Sequence, residues 1–246
     1  MSALPTAVDD VHAPAAMAVR SSFIRHEPSG SSRPGPATRL RLETLVAERR
    51  RVARGGELFR QGDSLAALYE IHAGLFKTCL TDKNGRCQVT GFHMTGELLG
   101  LDGIGADRHS VAAVALEDAL VCVIPYDALN SLLQESAALQ HEFHKAMSRE
   151  IVRAHALMLL LGSVAAEGRV AAFLLDLIGR LRARGFSSSA LVLRMSRDEI
   201  GSCLGLQLET VSRTFSRMQS DGVLVVRKRC VHVLDEAALR RMVRAA

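Results

Sequence analysis

At Tyr126 the hydrophobic rhythm of this 246-residue chain changes, and that change limits the folds open to it. Across residues 54–125, short runs rich in Val, Ile, Leu and Phe alternate with turn signals. These fall at Gly55-Gly56, Gly62-Asp63, Asp82-Lys83-Asn84-Gly85, Gly96 and residues 103–107. Apolar runs punctuated so closely predict a compact β sandwich or barrel. After Tyr126 the period is helical, and residues 139–161 contain neither Pro nor Gly. Gln140, His144, Met147, Ile151, Ala154, Met158 and Leu161 fall on one stripe with alternating steps of four and three, the spacing of a coiled-coil seam. The same spacing serves a helix packed on its own domain, so periodicity alone leaves both readings open. A second apolar face, Leu157 and Leu160, is placed to pack against the β part.

The flanks complete the division. Residues 1–38 are rich in Ala, Ser, Pro and Gly and read as a flexible tail. Leu40, Leu42, Leu45 and Val46 predict a short helix over residues 39–50. Residues 162–168 read as a hinge, followed by a helix over 169–184 with Val170, Phe173, Leu174, Leu177 and Leu181 on one face. The expected units are a tail at 1–38, a β domain at 39–135, a long helix with its hinge at 136–164, and a C-terminal domain at 165–246.

Composition removes several classes. The longest apolar run, residues 156–166, falls far short of the roughly 20 residues that span a bilayer, and no signal-peptide core opens the chain. A cytoplasmic protein with no membrane partner is expected. The five cysteines (Cys79, Cys87, Cys122, Cys203 and Cys230) include no CxxC pair, which argues against a disulfide framework and against a zinc site. No P-loop, GxSxG, HExxH or dinucleotide fingerprint occurs, so no catalytic residue is expected. The positive charge is unevenly placed: residues 165–246 carry 14 Lys and Arg against 8 Asp and Glu, whereas the rest of the chain is close to neutral. Clustered cations are what phosphate contact requires.

Within that basic third, Ser196-Arg197-Asp198-Glu199 is a capping box that opens a short helix. Gly205 permits a tight turn, Leu206 fills the corner, and a second helix runs over residues 207–220. Val211, Phe215 and Met218 face inward on it, and Glu209, Ser212, Arg213 and Arg217 face outward. Two short helices joined at a Gly turn, with a polar outer face on the second, make a helix-turn-helix. Residues 223–226 and 231–234 then form a hairpin, a wing whose tip is Arg227-Lys228-Arg229. Those three cations, with Arg217, Ser196 and Arg197, are the candidate phosphate contacts. Double-stranded DNA is the expected partner.

Four blocks carry a family resemblance: RGGELFRQGDSLAALYEIHAGLFKT, GELLGLDGIG, ALEDALVCVIPYDAL and EIGSCLGLQLETVSRTFSRMQSDGVL. In their order and spacing the chain resembles the CRP/FNR transcription regulators over residues 40–245, and its FNR branch most. The resemblance implies an α+β fold with an N-terminal β-roll sensor domain of the cyclic-nucleotide-binding kind, a long dimerisation helix and a C-terminal winged helix-turn-helix. It implies a homodimer whose seam is His144, Met147, Ile151, Ala154, Met158 and Leu161, and RNA polymerase as a further partner. It assigns base contacts to Glu209, Ser212 and Arg213 through the pattern E-x-x-S-R, and an FNR-like inverted repeat, TTGAT-N4-ATCAA. The chemistry agrees: a guanidinium pairs with guanine O6 and N7, a carboxylate accepts from cytosine or adenine amines, and a serine fits beside thymine.

What the sensor domain senses is less clearly written. Oxygen-sensing relatives hold an iron–sulfur cluster on several N-terminal cysteines and one in the β domain. Here Cys122 matches the latter, residues 1–78 contain no cysteine, and a 4Fe-4S cluster is not expected. A cyclic nucleotide needs a glutamate and an adjacent Arg-Ser or Arg-Thr pair. Glu97 stands in the right context, but Arg108-His109-Ser110 inserts a residue between the partners. Nine histidines leave haem open, with His141 and His144 one turn apart. Those relatives also tend to carry an acidic residue near Ala154, whose absence favours a dimer that forms without a cofactor. Gating by haem, a nucleotide or oxidation is the alternative. Cys203, just before the recognition helix, is the candidate redox residue.

Overall fold

The computed structural model describes residues 45–186 and 190–244, so the expected tail at 1–38 and most of the helix expected at 39–50 lie outside the described residues. Eight strands form two antiparallel four-stranded sheets. These strands are β1 (Glu48–Val52), β2 (Glu57–Phe59), β3 (Ala67–Ala73), β4 (Leu75–Thr81), β5 (Cys87–Met94), β6 (Leu98–Leu99), β7 (Ala112–Ala115) and β8 (Ala119–Pro125). One sheet has the order β1-β8-β3-β6 and the other β2-β7-β4-β5. Residues 48–50, expected as the end of a helix, are strand: Glu48 pairs with Val123, and the ladder runs to Val52 opposite Ala119. Ladder bonds to β8 outweigh a local helical spacing that had only a few apolar residues behind it.

The turns are where Gly and Asp predicted them. Between β4 and β5, Asp82 Oδ1 accepts from the amides of Asn84 and Arg86 at 2.8 and 2.9 Å, and Gly85 takes φ +77°. Gly74, at φ +100° between β3 and β4, is obligatory on two counts. A Cβ there would stand 2.6 Å from that of Ala119. The two sheets close on Leu58, Phe59, Ile71, Phe76, Val121 and their neighbours.

Two helices follow, α1 (Tyr126–Glu135) and α2 (Ala137–Ser163). Leu129, Leu132, Leu133, Leu139 and Phe143 seat them on Leu68, Leu98 and Ile124 of the first sheet. Beyond Phe143 most of α2 leaves the β domain, and Ile151, Val152, Met158 and Leu159 are more than half exposed. Of the expected seam, His144, Ile151, Ala154, Met158 and Leu161 face outward, whereas Met147 packs partly into the α1 cluster. The expected hinge is shorter than its glycines suggested. Helix α2 runs through Gly162 to Ser163, and α3 (Ala166–Arg182) already contains Gly168, so only Val164 and Ala165 are extended. A Cβ on Gly162 would meet open space, and a helix tolerates glycine at modest cost.

The C-terminal part holds β9 (Ala190–Val192), α4 (Arg197–Leu204), α5 (Leu208–Ser220), β10 (Leu224–Arg227), β11 (Cys230–Val233) and α6 (Glu236–Arg244). Strand β9 and helix α6 had no counterpart in the sequence reading. The former is three residues long, and the latter buries Ala238 and Leu239. Val170, Leu174, Ile178, Ile200, Leu204, Val211, Phe215, Met218 and Leu224 form the core of this part. The same cluster continues without a break into Leu75, Val89, Phe92 and Met94 of the β domain. The two parts therefore share one apolar contact rather than a bare linker.

Candidate nucleic-acid interface

Helix α4 starts where the capping box placed it. Ser196 Oγ accepts from the Glu199 amide at 3.1 Å, and Glu199 Oε2 accepts from the Ser196 amide at 2.7 Å. Two of the helix's orphan amides are thereby satisfied within four residues of chain. Gly205 ends it at φ +62°, and the Leu206 amide donates to Gly201 O at 2.9 Å, which folds the corner onto α4. Helix α5 then presents two unlike faces. Val211, Phe215 and Met218 are buried, while Glu209, Arg213 and Arg217 are exposed and Ser212 is half-buried on the same outer side. Residues three and four apart share a helical face, so Glu209, Ser212 and Arg213 sit together on the first two turns. The structure brings all three candidate base contacts onto one surface.

The wing is anchored from both sides. Strands β10 and β11 pair from Leu224 opposite Val233 to Arg227 opposite Cys230, and β9 adds a third strand against β11. Gln219 Oε1 of α5 accepts from the Val226 amide at 2.9 Å, tying the wing to the recognition helix. Lys228 takes φ +56° at the tip, where Arg227, Lys228 and Arg229 are all exposed. Arg217 is exposed as well, and its guanidinium is paired with Glu167 of α3.

Two expected site residues sit elsewhere. Arg197 does not stand free beside Ser196 as a phosphate contact. Its guanidinium carbon lies 3.3 Å from the centroid of the Phe215 ring, its Nη1 is buried without a partner, and burial lowers its pKa to about 10. It supports the recognition helix by stacking on it. Cys203 faces the core, not the outer surface, and burial pushes its thiol up to about 12. The thiolate is the reactive form of cysteine, so this position lacks the exposure and the acidity that a redox sensor needs.

The contacts that hold this interface against the β domain were missed in the sequence because they join residues more than a hundred positions apart. Lys77 Nζ of β4 meets Glu199 Oε1 at 2.8 Å, so the capping-box glutamate serves both parts. Burial would raise the Glu199 carboxyl, but Lys77 and the Ser196 amide outweigh that and hold it below its ordinary value. The Val89 amide donates to Ser202 Oγ at 2.9 Å, and Gln88 Nε2 donates to the carbonyl of Ser202. The β4–β5 hairpin thus grips α4 at Glu199 and Ser202.

Known proteins match this arrangement part by part. Residues 168–242 match the Crp-like helix-turn-helix domain, and residues 49–136 match the cyclic nucleotide-binding domain. The chain is 45% identical over 203 residues to the transcriptional regulatory protein btr of Bordetella pertussis, covering 82% of this chain and 84% of that one. To the transcriptional activator protein Anr of Pseudomonas protegens it is 42% identical over 198 residues, covering 80% and 81%. The solved structure of FixK2 from Bradyrhizobium japonicum superposes with a TM-score of 0.75 at 29% identity, covering 80% of this chain and 98% of that one. With both domains, the winged helix-turn-helix and relatives of this closeness in place, the chain belongs to the CRP/FNR family of DNA-binding transcription regulators.

Proposed function

We propose that this regulator is a homodimer that reads an FNR-like inverted repeat, TTGAT-N4-ATCAA, and adopts its DNA-binding form without a cofactor. The observation that carries the reading is the outer face of α5, where Glu209, Ser212 and Arg213 stand together on a helix that Gln219 ties to the wing with its exposed basic tip. The outward stripe of Ile151, Met158 and Leu161 on α2 supplies the surface for a second copy, and twofold symmetry then matches an inverted repeat. RNA polymerase is the protein partner this reading expects. Homologues that are transcription regulators, and no catalytic constellation in the sequence, support a role other than catalysis.

The residues available for the family's effectors do not fit them. A 4Fe-4S cluster needs four converging thiolates, but Cys79 and Cys87 lie on the β4–β5 hairpin, Cys122 in the other sheet, Cys203 in α4 and Cys230 in the wing. Among the described residues, no three His, Cys, Asp or Glu side chains are grouped to hold a metal ion. A nucleotide ribose would need Glu97, whose two oxygens already accept five hydrogen bonds from Arg153, Arg180, Arg184 and the Met94 amide. A carboxylate has about four lone-pair sites, so no acceptor is left for a ligand hydroxyl. Arg108 is turned to the carbonyl of Gly62 at 2.8 Å, and His109 is buried against Phe59.

A second reading rests on a cavity of about 500 Å³ between the β domain, α2 and α3, lined by Phe92, His93, Leu157, Leu160, Phe173 and Cys203 among others. Such a volume suits a small effector. The deciding experiment compares binding of chelator-treated protein to the TTGAT-N4-ATCAA duplex and to a scrambled duplex at one salt concentration. Selective binding supports the cofactor-independent dimer. Equal or absent binding to both sinks it: the active state then needs an effector, or the half-site is not TTGAT. In the same assay, replacing Arg227, Lys228 and Arg229 together by alanine should weaken binding to both duplexes alike. It should also flatten the dependence on salt by roughly one unit of slope per lost phosphate contact.

A further inference from the structure

Glu97 sits between β5 and β6, nearly fully buried, where charge is costly unless it is matched. The match comes from two other elements of the fold. Arg180, near the end of α3, meets it with two parallel bonds: Nε to Oε1 at 3.1 Å and Nη2 to Oε2 at 2.6 Å. Arg184, just past that helix, donates Nη2 to Oε1 at 2.6 Å, and Arg153 of α2 reaches Oε2 at 3.3 Å. Both α3-side arginines also hold β-domain backbone, Arg180 at Phe92 O (2.7 Å) and Arg184 at Thr95 O (2.7 Å). Burial by itself would raise the Glu97 carboxyl, but Arg180, Arg153 and Arg184 outweigh it and bring it down to about 2. It is therefore ionised at any working pH.

The position of this cluster matters more than its strength. Helix α3 joins α2 through two extended residues, Val164 and Ala165, whose torsions set its direction only loosely. Arg169 fastens its near end, with Nε on Val164 O at 2.7 Å and Nη1 on Leu204 O at 3.1 Å. From Ala166 to Arg180 the helix extends about 21 Å, so an angular error of about 5° at the near end moves the far end by about 2 Å. The recognition helix is packed on this lever through the shared core. A two-pronged Arg–carboxylate bond fixes angle as well as distance.

We propose that Glu97 is a positioning residue for DNA recognition: with Arg153, Arg180 and Arg184 it clamps the far end of α3 to the β domain, and so sets the angle at which each helix-turn-helix is presented to its half-site. The proposal rests on the dimer reading above. A dimer must hold two recognition helices one helical turn of DNA apart, about 34 Å, and the clamp makes that spacing a property of the protein alone. Thus the carboxylate that would otherwise face an effector is committed to geometry.

The test measures binding of the full chain to duplexes in which TTGAT and ATCAA are separated by two to six base pairs, and to a duplex with one half-site. Wild-type protein should prefer the four-base-pair spacer. The Glu97→Gln variant, which keeps the shape and loses the charge, should lose at least about tenfold of that preference, the scale of one charge-assisted bond. Its affinity for the single half-site and its sedimentation as a dimer should stay unchanged, which a merely structural role would not predict. Arg180→Lys, which keeps a cation but cannot form the two-pronged bond, should act in the same direction and serves if Glu97→Gln does not fold. Unchanged spacer preference in a folded variant overturns the clamp. Wild-type protein that binds one half-site as well as two overturns the dimer reading, and the clamp with it.

Discussion

Arg213→Ala should bind the inverted repeat at least about 30-fold more weakly, with the loss concentrated at a single G·C pair of each half-site. A bidentate guanidinium–guanine contact is worth about 1 to 3 kcal/mol of discrimination, and a dimer makes the contact twice. The side chain is free to make it. It is exposed on the first turns of α5, and its long 3.5 Å contact with Thr210 Oγ1 is weak enough to give up at little cost. Nothing in the core depends on it, so the melting temperature should not move. The check is competition between the repeat and versions substituted one base pair at a time. Wild-type protein should distinguish each substitution, whereas the variant should tolerate a change at one position only. A uniform loss at every position, with a shallower salt dependence, would instead make Arg213 a phosphate contact.

Gly201→Ala should destabilise the DNA-binding domain by about 3 kcal/mol, the upper end of the usual cost of overpacking, because no rotamer can relieve a clash at Cβ. A Cβ at this position would stand 2.5 Å from the backbone oxygen of Leu206 and 3.5 Å from Val211 Cγ2. The oxygen cannot retreat, because the Leu206 amide is bonded to Gly201 O at 2.9 Å and this bond forms the corner of the helix-turn-helix. Thermal unfolding followed by circular dichroism should show an early transition for the C-terminal part and a loss of DNA binding. Gly179→Ala is the internal control. That glycine lies in α3 with open space where its Cβ would go, and alanine there should raise stability by up to about 1 kcal/mol. If the two variants melt alike, the close approach of α4 to the corner is not what the geometry says it is.

How much of this was legible beforehand depends on the distance over which each feature is decided. The capping box, the Gly205 turn, the two-faced recognition helix and the wing all appear as expected. Each rests on bonds between residues a few positions apart, as Ser196 and Glu199 show. Periodicity likewise marked α2, because 27 residues of one helix accumulate a signal that a three-residue strand such as β9 does not. Local spacing at residues 48–50 favours helix, but the strand forms because its partner, β8, some seventy residues away, supplies the ladder. Arg197 and Cys203 were placed by type and by neighbours in sequence. Their real surroundings, the ring of Phe215 and the core shared with the β domain, come from folding.

Glu97 shows the division most clearly. Its context in the sequence suggested a ligand contact, and nothing local contradicts that. Its partners are 56, 83 and 87 positions along the chain, on or just past two helices whose directions depend on everything packed beneath them. Where the helix-turn-helix begins and turns, and which side chains of α5 can face DNA, are written locally, because short-range hydrogen bonding and hydrophobic period are properties of neighbouring residues. Which buried charges meet, and at what angle the C-terminal part is held, depend on packing between elements far apart in the chain. A carboxylate removed from water takes whichever cations the whole fold delivers to it.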